Sequence, residues 1–378
     1  MPFSDADITF MTLALQLAAA GRFTTDPNPN VGAVLVKDGQ IIGQGYHHQA
    51  GGPHAEVGAL QQAADKAAGA TCYVTLEPCS HYGRTPPCAL ALIKAGVARV
   101  VIAMLDPNPL VAGKGVKLLQ DAAISVEYGL LEAQARALNP GFLSRMERQR
   151  PYLRLKLAAS MDGRTALANG QSKWLTGEQA RADVQLYRAQ SSAILSTAST
   201  VLADDARLTV RQTAEQSISC RADGQLRQPL RVILDRQQQL TGSEPLFQLA
   251  GPILLCIAKG ASPRPLAATM QAEVTQLGIA VSADGRFALA ELLQLLAQQQ
   301  VNSVWVEAGA TLAGALLSAQ LVDEFILYQA PVLLGDAARP LAQLPILTDL
   351  QQARRWQFTG VQQLGADVRL TARLLTSS

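Results

Sequence analysis

A histidine, a glutamate and two cysteines early in the chain have the types and spacing of a catalytic metal site. Thiolate and imidazole suit zinc, and a catalytic zinc site keeps three protein ligands with one open position for water. We therefore predict that His54, Cys79 and Cys88 hold one zinc ion per chain. Glu56, two residues after His54, is predicted to move the proton of the attacking water to a leaving amine. Together the four residues indicate hydrolytic deamination.

The distance between the two cysteines departs from the signature H-x-E…P-C-x-x-C of zinc-dependent nucleobase deaminases. That signature places two residues between its cysteines, whereas residues 80–87 separate Cys79 from Cys88 here. The insert carries His81 and Arg84, which could bind a phosphate or a carbonyl group. It therefore favours a substrate with an anionic group over cytidine or a tRNA base. Because Cys79 follows a proline, we expect it to begin a helix, whose dipole would favour a thiolate.

A structural zinc site is the main alternative for these residues. It would need a fourth ligand, for which the sequence offers Cys72, His47, His48 and His81. This alternative is less favoured because a structural zinc has no use for a glutamate so close to the histidine.

Composition argues against several classes of partner. The chain has 378 residues, which suggests two domains, and it is 48% hydrophobic and 16% charged. A net charge of +2 and 5% aromatic residues give no indication of nucleic-acid or membrane binding. No apolar run is long enough to span a membrane. An odd number of cysteines, five, favours a reducing compartment, so we expect a cytoplasmic protein.

The first half of the chain alternates between helix and strand patterns. Residues 4–20, 55–68, 89–95 and 116–122 are predicted helices, and residues 71–75, 99–103 and 124–128 are predicted strands. Asp38-Gly39 predicts a hairpin between residues 32–37 and 41–45. These elements predict a three-layer α/β domain with its zinc ligands at helix starts. Asn139-Pro140-Gly141 is predicted to break helix near the join of two domains.

The second half reads as another α/β arrangement. Strands are predicted at residues 152–158, 193–196, 231–235, 253–257, 303–307, 325–331 and 368–374, and helices at 174–188 and 288–299. Residues 211–228 are polar and are predicted to form an exposed loop. No Gly-x-Gly-x-x-Gly follows a strand, so a standard Rossmann site is not indicated. Glu307 instead leads into the turn at Gly309 and a helix start, where backbone amides could bind phosphate.

These segments resemble the family of bifunctional riboflavin-biosynthesis deaminase/reductases. In the first half the resemblance rests on residues 27–34, 54–57, 75–88 and 106–115, and in the second on residues 156–164, 172–174, 198–205 and 307–309. It implies a cytidine-deaminase-like domain at residues 1–149 and a dihydrofolate-reductase-like α/β domain at residues 150–378. The first would deaminate 2,5-diamino-6-ribosylamino-4(3H)-pyrimidinone 5′-phosphate. The second would use NADPH to reduce the product to 5-amino-6-(5-phosphoribitylamino)uracil.

The resemblance also implies roles for individual residues. In the first domain, Asn28 and His47 would contact the pyrimidine, and His81 and Arg84 would lie near the phosphate. NADPH would lie against Ala158, Trp174, Thr200, Asp204, Gly309, Ala310, Thr311, Leu312, Ala313, Gly314 and Ala315. The phosphorylated sugar would contact Lys156, Ser172, Arg188, Leu208, Arg211 and Glu307.

Two other functions stay open from the residues alone. The protein could act on nucleic-acid bases, with the second half as a binding module, or it could be a scaffold with a structural zinc. Low net charge and the 80–87 insert count against the first, and Glu56 counts against the second. We also expect a homo-oligomer, either a dimer or a tetramer.

Overall fold

A computed structural model describes residues 3–80, 82, 86–109, 111–213 and 217–375 of the protein. The chain divides into two compact units. Unit 1 comprises Met1–Gln149 and Ser219–Gln225, and unit 2 comprises Arg150–Ile218 and Leu226–Ser378. Unit 1 therefore includes a short segment, Ser219–Gln225, that lies far along the chain from its other residues. None of the described helices is long and apolar enough to span a membrane.

Unit 1 is built on a five-stranded sheet. Its described elements are α1 (Asp5–Ala20), β1 (Gly32–Lys37), β2 (Gln40–Tyr46), α2 (Ala55–Ala63), β3 (Thr71–Val74), α3 (Cys88–Lys94), β4 (Arg99–Ile102), α4 (Lys114–Asp121), β5 (Ser125–Tyr128), α5 (Glu132–Leu138) and α6 (Pro140–Arg148). The strand order is β2-β1-β3-β4-β5. β1 pairs antiparallel with β2 and β3, and the other neighbours pair parallel.

Both faces of this sheet are covered, as the side chains of β1 show. Ala33 and Leu35 lie in a core that includes α2, α3 and α4, whereas Val34 and Val36 lie in a core that includes α1, α5 and α6. Successive residues of a strand point to opposite faces, so alternate positions of β1 supply the two cores. The predicted three-layer arrangement is confirmed.

Unit 2 contains a nine-stranded sheet. Its described elements are β6 (Tyr152–Ser160), β7 (Arg164–Ala166), α7 (Glu178–Gln190), β8 (Ala193–Thr197), α8 (Ala198–Asp204), β9 (Leu230–Leu234), β10 (Gly251–Ala258), β11 (Ala272–Ile279), α9 (Leu289–Gln298), β12 (Ser303–Glu307), α10 (Ala310–Ser318), β13 (Glu324–Ala330), β14 (Arg339–Pro340), β15 (Trp356–Leu364) and β16 (Asp367–Leu374). The order in the large sheet is β11-β10-β9-β8-β12-β6-β13-β16-β15.

The centre of this sheet is parallel and buried on both faces. From β11 to β13 every neighbouring pair is parallel, and only β16 and β15 pair antiparallel. Val304 and Val306 of β12 pack in the core with α9 and α10, while Trp305 packs in the core with α7 and α8. The parallel strands therefore end at one common edge, where βα connections carry polar side chains.

Three sequence expectations were wrong in detail. The helix expected from Trp174 begins at Glu178, because the Asp367 carboxylate accepts the Gly177 N–H at 2.6 Å and holds the preceding chain outside helical geometry. The expected helix break spans only Asn139, since a proline suits the first residue of a helix and α6 begins at Pro140.

The third discrepancy is confined to two residues of the segment 211–228, which was expected to be an exposed loop and is mostly exposed where it is described. The described residues there form no helix or strand, but Ile218 and Arg227 are buried. Arg227 donates to the Ala189 and Ser191 carbonyl oxygens at the end of α7. The polar composition of this segment therefore gave no indication that Ile218 and Arg227 are buried.

Candidate active sites

The three predicted metal ligands of unit 1 meet at one point. The Nδ1 atom of His54 lies 3.2 Å from Sγ of Cys88 and 3.6 Å from Sγ of Cys79. Tetrahedral zinc with ordinary Zn–N and Zn–S bonds would separate such atoms by about 3.5 Å. In the described part of the chain, this is the only group of three or more His, Cys, Asp or Glu side chains placed to hold a metal ion. The donor set fits zinc.

Glu56 is buried beside these ligands in the first turn of α2. Burial, followed by the charge of Cys79, raises the pKa of the Glu56 carboxyl to about 7. A carboxyl group with a pKa near neutrality is suited to accept and return a proton. A bound zinc cation would lower that pKa, because an opposite charge favours the carboxylate.

Two glycines of β2 hold α2, and therefore His54, against the sheet. A Cβ on Gly43 would lie 2.1 Å from the Ala59 carbonyl oxygen, and one on Gly45 would lie 2.5 Å from that of Ala55. Any larger residue at these positions would displace the helix that carries Glu56 and begins directly after His54.

Cys79 does not begin a helix, contrary to the sequence expectation. It lies in an irregular segment between β3 and α3, and the helix begins at Cys88. The Cys88 N–H nevertheless donates to Sγ of Cys79 at 3.3 Å, so the amino end of α3 still faces this sulfur. A hydrogen bond from the Cys88 thiol lowers the pKa of Cys79, and His54 lowers it further.

Glu77 fixes the segment that leads into Cys79, a role that the sequence analysis missed. Its buried carboxylate accepts the N–H groups of Asp106, Gly113, Gly115 and Val116 at 2.9–3.2 Å. Gly115 is needed for this approach, since a Cβ there would lie 2.1 Å from the Pro78 carbonyl oxygen. The start of α4 is thus capped by the residue two positions before a metal ligand.

Asn28 and His47 lie together at this site. Nδ2 of Asn28 is 3.0 Å from Nε2 of His47, and Nδ1 of His47 is 2.9 Å from the Pro53 carbonyl oxygen. The His47 ring also stands edge-on to that of His54, with centroids 5.4 Å apart. Two further predicted contacts, His81 and Arg84, lie outside the described residues.

The ligand set gives a direct prediction for metal content. We expect one zinc per chain in wild type, and loss of zinc in Cys79→Ser and Cys88→Ser. Cys72→Ala is the matched control, because Cys72 is buried in β3 and belongs to no metal-binding group among the described residues. Metal analysis of the purified proteins tests this. Loss of zinc from Cys72→Ala would favour a structural, four-ligand site instead.

A second polar cluster lies at the carboxyl edge of the unit 2 sheet. Lys156 of β6 and Glu307 of β12 are register partners in neighbouring parallel strands. The Arg188 side chain donates from Nε and Nη2 to the two Glu307 carboxylate oxygens at 2.6 and 2.9 Å. Although burial raises the pKa of Glu307, Arg188 and then Lys156 lower it, and the net value is about 2. Glu307 is therefore a carboxylate at neutral pH.

The other residues predicted to contact the sugar differ in how exposed they are. Arg211 as a whole is exposed. Partial burial of its guanidinium and then the Arg188 charge lower the pKa of Arg211. Leu208 is buried with a positive φ of 52°, and Ser172 is half-buried in the loop before α7. Of the residues predicted to contact the sugar, Lys156, Arg188, Arg211 and Glu307 lie close enough for their charges to interact.

The predicted cofactor residues come from four segments of unit 2. Ala158 lies near the end of β6, Thr200 and Asp204 lie in α8, and Gly309 caps α10. Trp174 is 73% exposed, with the Arg181 guanidinium 4.8 Å from its ring centroid. Within α10, Thr311 is exposed and Ala310 and Ala315 are partly buried, while Leu312, Ala313 and Gly314 are buried.

The space beside Gly309 is open. A Cβ built on this residue would meet no atom within 4 Å, and the residue precedes the first turn of a nine-residue helix. Free amides and the positive dipole end at such a position suit phosphate. Gly314, by contrast, is needed for packing, since its Cβ would lie 1.9 Å from the Gln343 carbonyl oxygen.

Two residues that hold Glu307 were not found from the sequence. Trp305 donates from Nε1 to the Glu307 carboxylate at 2.9 Å, and Ser196 donates to the Glu307 carbonyl oxygen at 2.6 Å. Trp305 is fully buried and stacks on Tyr187. The spacing of two between Trp305 and Glu307 along a strand, which places both on one face, was the available signal.

Family comparisons agree with two functional regions. Residues 4–104 match the family described as the cytidine and deoxycytidylate deaminase zinc-binding region. Residues 151–370 match the family described as the RibD C-terminal domain. The two matches lie on opposite sides of residue 149.

Similar proteins cover nearly the whole chain. The riboflavin biosynthesis protein RibD of Haemophilus influenzae is 52% identical over 98% of this chain and 98% of its own. RibD of Escherichia coli is 52% identical over 96% of this chain and 98% of its own. A structure of Acinetobacter baumannii RibD has a TM-score of 0.89 at 46% identity, covering 98% of this chain and 99% of that one.

A more distant solved structure has the same fold. The diaminohydroxyphosphoribosylaminopyrimidine deaminase/5-amino-6-(5-phosphoribosylamino)uracil reductase of Thermotoga maritima has a TM-score of 0.84 at 32% identity, covering 98% of this chain and 99% of that one. The predicted order, a cytidine-deaminase-like fold followed by a dihydrofolate-reductase-like fold, is confirmed.

Proposed function

We propose residue roles for two reactions on the premise that this chain belongs to the family of bifunctional riboflavin-biosynthesis deaminase/reductases, which the relatives above establish. The chain is accordingly a zinc-dependent deaminase and an NADPH-dependent reductase. We propose residues 1–149 for the first activity and residues 150–378 for the second. The substrate proposed for the deaminase is 2,5-diamino-6-ribosylamino-4(3H)-pyrimidinone 5′-phosphate. The meeting of His54, Cys79, Cys88 and Glu56 carries the proposal most directly.

In the deaminase, side chains of the protein bind the pyrimidine and transfer one proton. When bound, zinc supplies a Lewis acid that lowers the pKa of a coordinated water to about 7. Glu56 accepts a proton from the attacking water at a carboxylate oxygen and returns it to the amino group that leaves C2 as ammonia. Asn28 is proposed to hold the ring with His47 beside it, and His81 and Arg84 are proposed to bind the phosphate.

In the reductase, the cluster around Glu307 orients the sugar. When bound, NADPH supplies the hydride that converts the ribosyl chain to a ribityl chain. Glu307 at the end of β12 is paired with Lys156 of β6 and bonded by Arg188 of α7, and Ser172, Leu208 and Arg211 are proposed as further contacts. Ala158, Trp174, Thr200, Asp204 and the turn from Gly309 to Ala315 are proposed to hold the cofactor.

Following the products of the pyrimidine phosphate with and without NADPH tests both steps. Deamination should proceed without NADPH and release ammonia, whereas the reduced product should form only when NADPH is added. A nucleic-acid base deaminase would instead act on an oligonucleotide, and nucleic acid would raise its melting temperature. Release of ammonia from an oligonucleotide but not from the pyrimidine phosphate would contradict the proposal.

Gly309→Val should weaken NADPH binding. Gly309 has a φ of −76°, which any residue adopts, and its Cβ would enter open space, so the substitution strains nothing in the free protein. A loss of about 1 kcal/mol or more in binding free energy is expected from the steric clash and lost hydrogen bonding. Fluorescence titration with NADPH measures it, with deamination as the control. Unchanged affinity in a folded variant would exclude this turn as the cofactor site.

We propose a homo-oligomer formed through β15, an edge strand of the large sheet. Phe358 and Val361 of this strand are 64% and 68% exposed. A long apolar edge is a template for pairing with another chain, and a two-fold dimer closes such a contact. Val361→Lys should therefore shift sedimentation from dimer or tetramer towards monomer, whereas the exposed control Asp284→Asn should not. A monomeric wild type would contradict this proposal.

We propose a cytoplasmic location. All five cysteines are free thiols, including the buried Cys72 and Cys256, as expected in a reducing compartment.

A further inference from the structure

The two neighbours of His47 determine which of its ring nitrogens carries hydrogen. Nδ1 lies 2.9 Å from the Pro53 carbonyl oxygen, which can only accept, so Nδ1 must be the donor. A neutral imidazole has one N–H, and Nε2 is then an acceptor. The ring is 3% exposed, and a ring shielded from water in this way favours the neutral imidazole over the charged form.

This tautomer in turn determines the orientation of the Asn28 amide. With Nε2 as an acceptor 3.0 Å away, Asn28 must present its Nδ2–H to the ring. The opposite orientation would place the Asn28 carbonyl oxygen against a nitrogen lone pair. The backbone of Asn28 is restrained as well, by Pro27 and Pro29 and by an N–H bond to the Thr25 carbonyl oxygen at 2.8 Å.

The consequence is that Asn28 keeps one hydrogen-bond acceptor that no described residue of the protein uses. Oδ1 of Asn28 has no hydrogen-bond partner within the part of the chain that the structure describes, and the side chain is half-buried. Both nitrogens of His47 are engaged, by Pro53 and by Asn28, so its ring has no nitrogen left for a substrate.

We propose that His47 is a positioning residue that fixes Asn28 as a hydrogen-bond acceptor and so selects heterocycles that present an N–H to it. This rests on the deaminase function proposed above and replaces a direct contact of His47 with the substrate. A 4(3H)-pyrimidinone carries a ring N–H and amino groups that could donate to Oδ1. A ring with a bare nitrogen at that place would oppose lone pair to lone pair and bind poorly.

The tautomer can be measured directly. The protein has four histidines, so ¹⁵N spectra of the zinc-loaded, histidine-labelled full chain are simple, and His47→Gln identifies the His47 signals by their loss. We expect a protonated Nδ1 and an unprotonated Nε2 for His47. A protonated Nε2 with a bare Nδ1 would overturn the proposal, whether or not the enzyme is active.

Kinetics test whether His47 acts through Asn28. His47→Phe keeps a ring of similar size but loses the acceptor, and we expect KM for the pyrimidine phosphate to rise roughly tenfold with little change in kcat. In an Asn28→Ala background the same substitution should have almost no further effect. His47→Gln, whose side-chain oxygen can accept from Asn28, should recover most of the loss. Equal effects of His47→Phe in both backgrounds would mean that His47 contacts substrate itself, which would overturn the proposal.

Controls separate this role from a structural one. Zinc content and reductase activity should be unchanged in each variant. His48→Phe is the matched control, since the exposed His48 ring stacks on Tyr46 and a phenyl ring can do the same. If His47→Phe fails to fold, the tautomer measurement on wild type decides the proposal. A wild type without deaminase activity would contradict the proposed function. The ¹⁵N measurement of the His47 tautomer does not depend on that activity.

Discussion

Glu56→Gln should remove deamination while leaving zinc content, folding and reduction intact. The amide has nearly the shape of the carboxylate but cannot accept and return a proton. Since Glu56 lies outside the three-ligand group, the metal should remain bound. General acid–base catalysis of this kind is worth roughly 10²–10⁴-fold, and a decrease of at least that size in kcat is expected.

Ammonia release and NADPH oxidation, assayed separately, measure the effect. The reductase is assayed with substrate that is already deaminated, so that its rate does not depend on the deaminase activity. Asp65→Asn is the control, because it removes an exposed carboxylate shortly after α2 without touching the site. Comparable loss of both activities in Glu56→Gln would show that the two reactions do not have separate sites.

The metal site could be predicted from the sequence because its information is local. His54 and Glu56 lie two residues apart at the start of one helix, and only residues 80–87 separate Cys79 from Cys88. Few residue types bind zinc, so three ligands and a nearby carboxylate restrict the chemistry strongly. The order of strands and helices was likewise accessible, since alternating apolar positions determine which face of each strand is buried.

Residues that hold the site in place were missed because their partners are distant in sequence. Glu77 binds backbone amides 29 to 39 positions further along the chain, and no local pattern distinguishes it from an exposed glutamate. Ser196 donates to the Glu307 carbonyl oxygen from a neighbouring strand, 111 positions earlier in the sequence. Such roles appear only when strand order and register are known.

Helix boundaries failed for a related reason. The start of α7 at Glu178 depends on the Asp367 carboxylate, which lies in the last strand of the chain. Tertiary contacts of this kind override the local propensity that extended the predicted helix back to Trp174. Trp174 is therefore free of the helix and available in a loop, where a cofactor role remains a proposal.

Glu307→Gln should both stop reduction and destabilise unit 2. The variant leaves the Arg188 guanidinium, whose side chain is 11% exposed, without its carboxylate partner. Breaking a buried ion pair by removing one member typically costs about 3–5 kcal/mol in the free energy of unfolding. Denaturant unfolding of the full chain should show this in the transition of unit 2, while Asp284→Asn, in an exposed pair, should leave the midpoint nearly unchanged.

The acid dependence of stability gives an independent check. The pKa of Glu307 is lowered from 4.5 to about 2, so its stabilisation is fully present above pH 4.5 and is lost as the pH falls towards 2. Glu307→Gln should lack this component of the acid-induced loss. Identical acid profiles in wild type and variant would contradict a charged, buried Glu307.

Removing both charges separates stability from activity. In Glu307→Gln combined with Arg188→Gln neither member of the ion pair remains, and much of the lost stability should return, because replacing both members of a buried pair is far less costly than replacing one. Reduction should stay absent, since the groups proposed to orient the phosphorylated sugar are gone. NADPH affinity, measured by fluorescence, should change little because the proposed cofactor turn begins after Glu307. A stable double variant that still reduces its substrate would show that this ion pair supports the fold of unit 2 and not its chemistry.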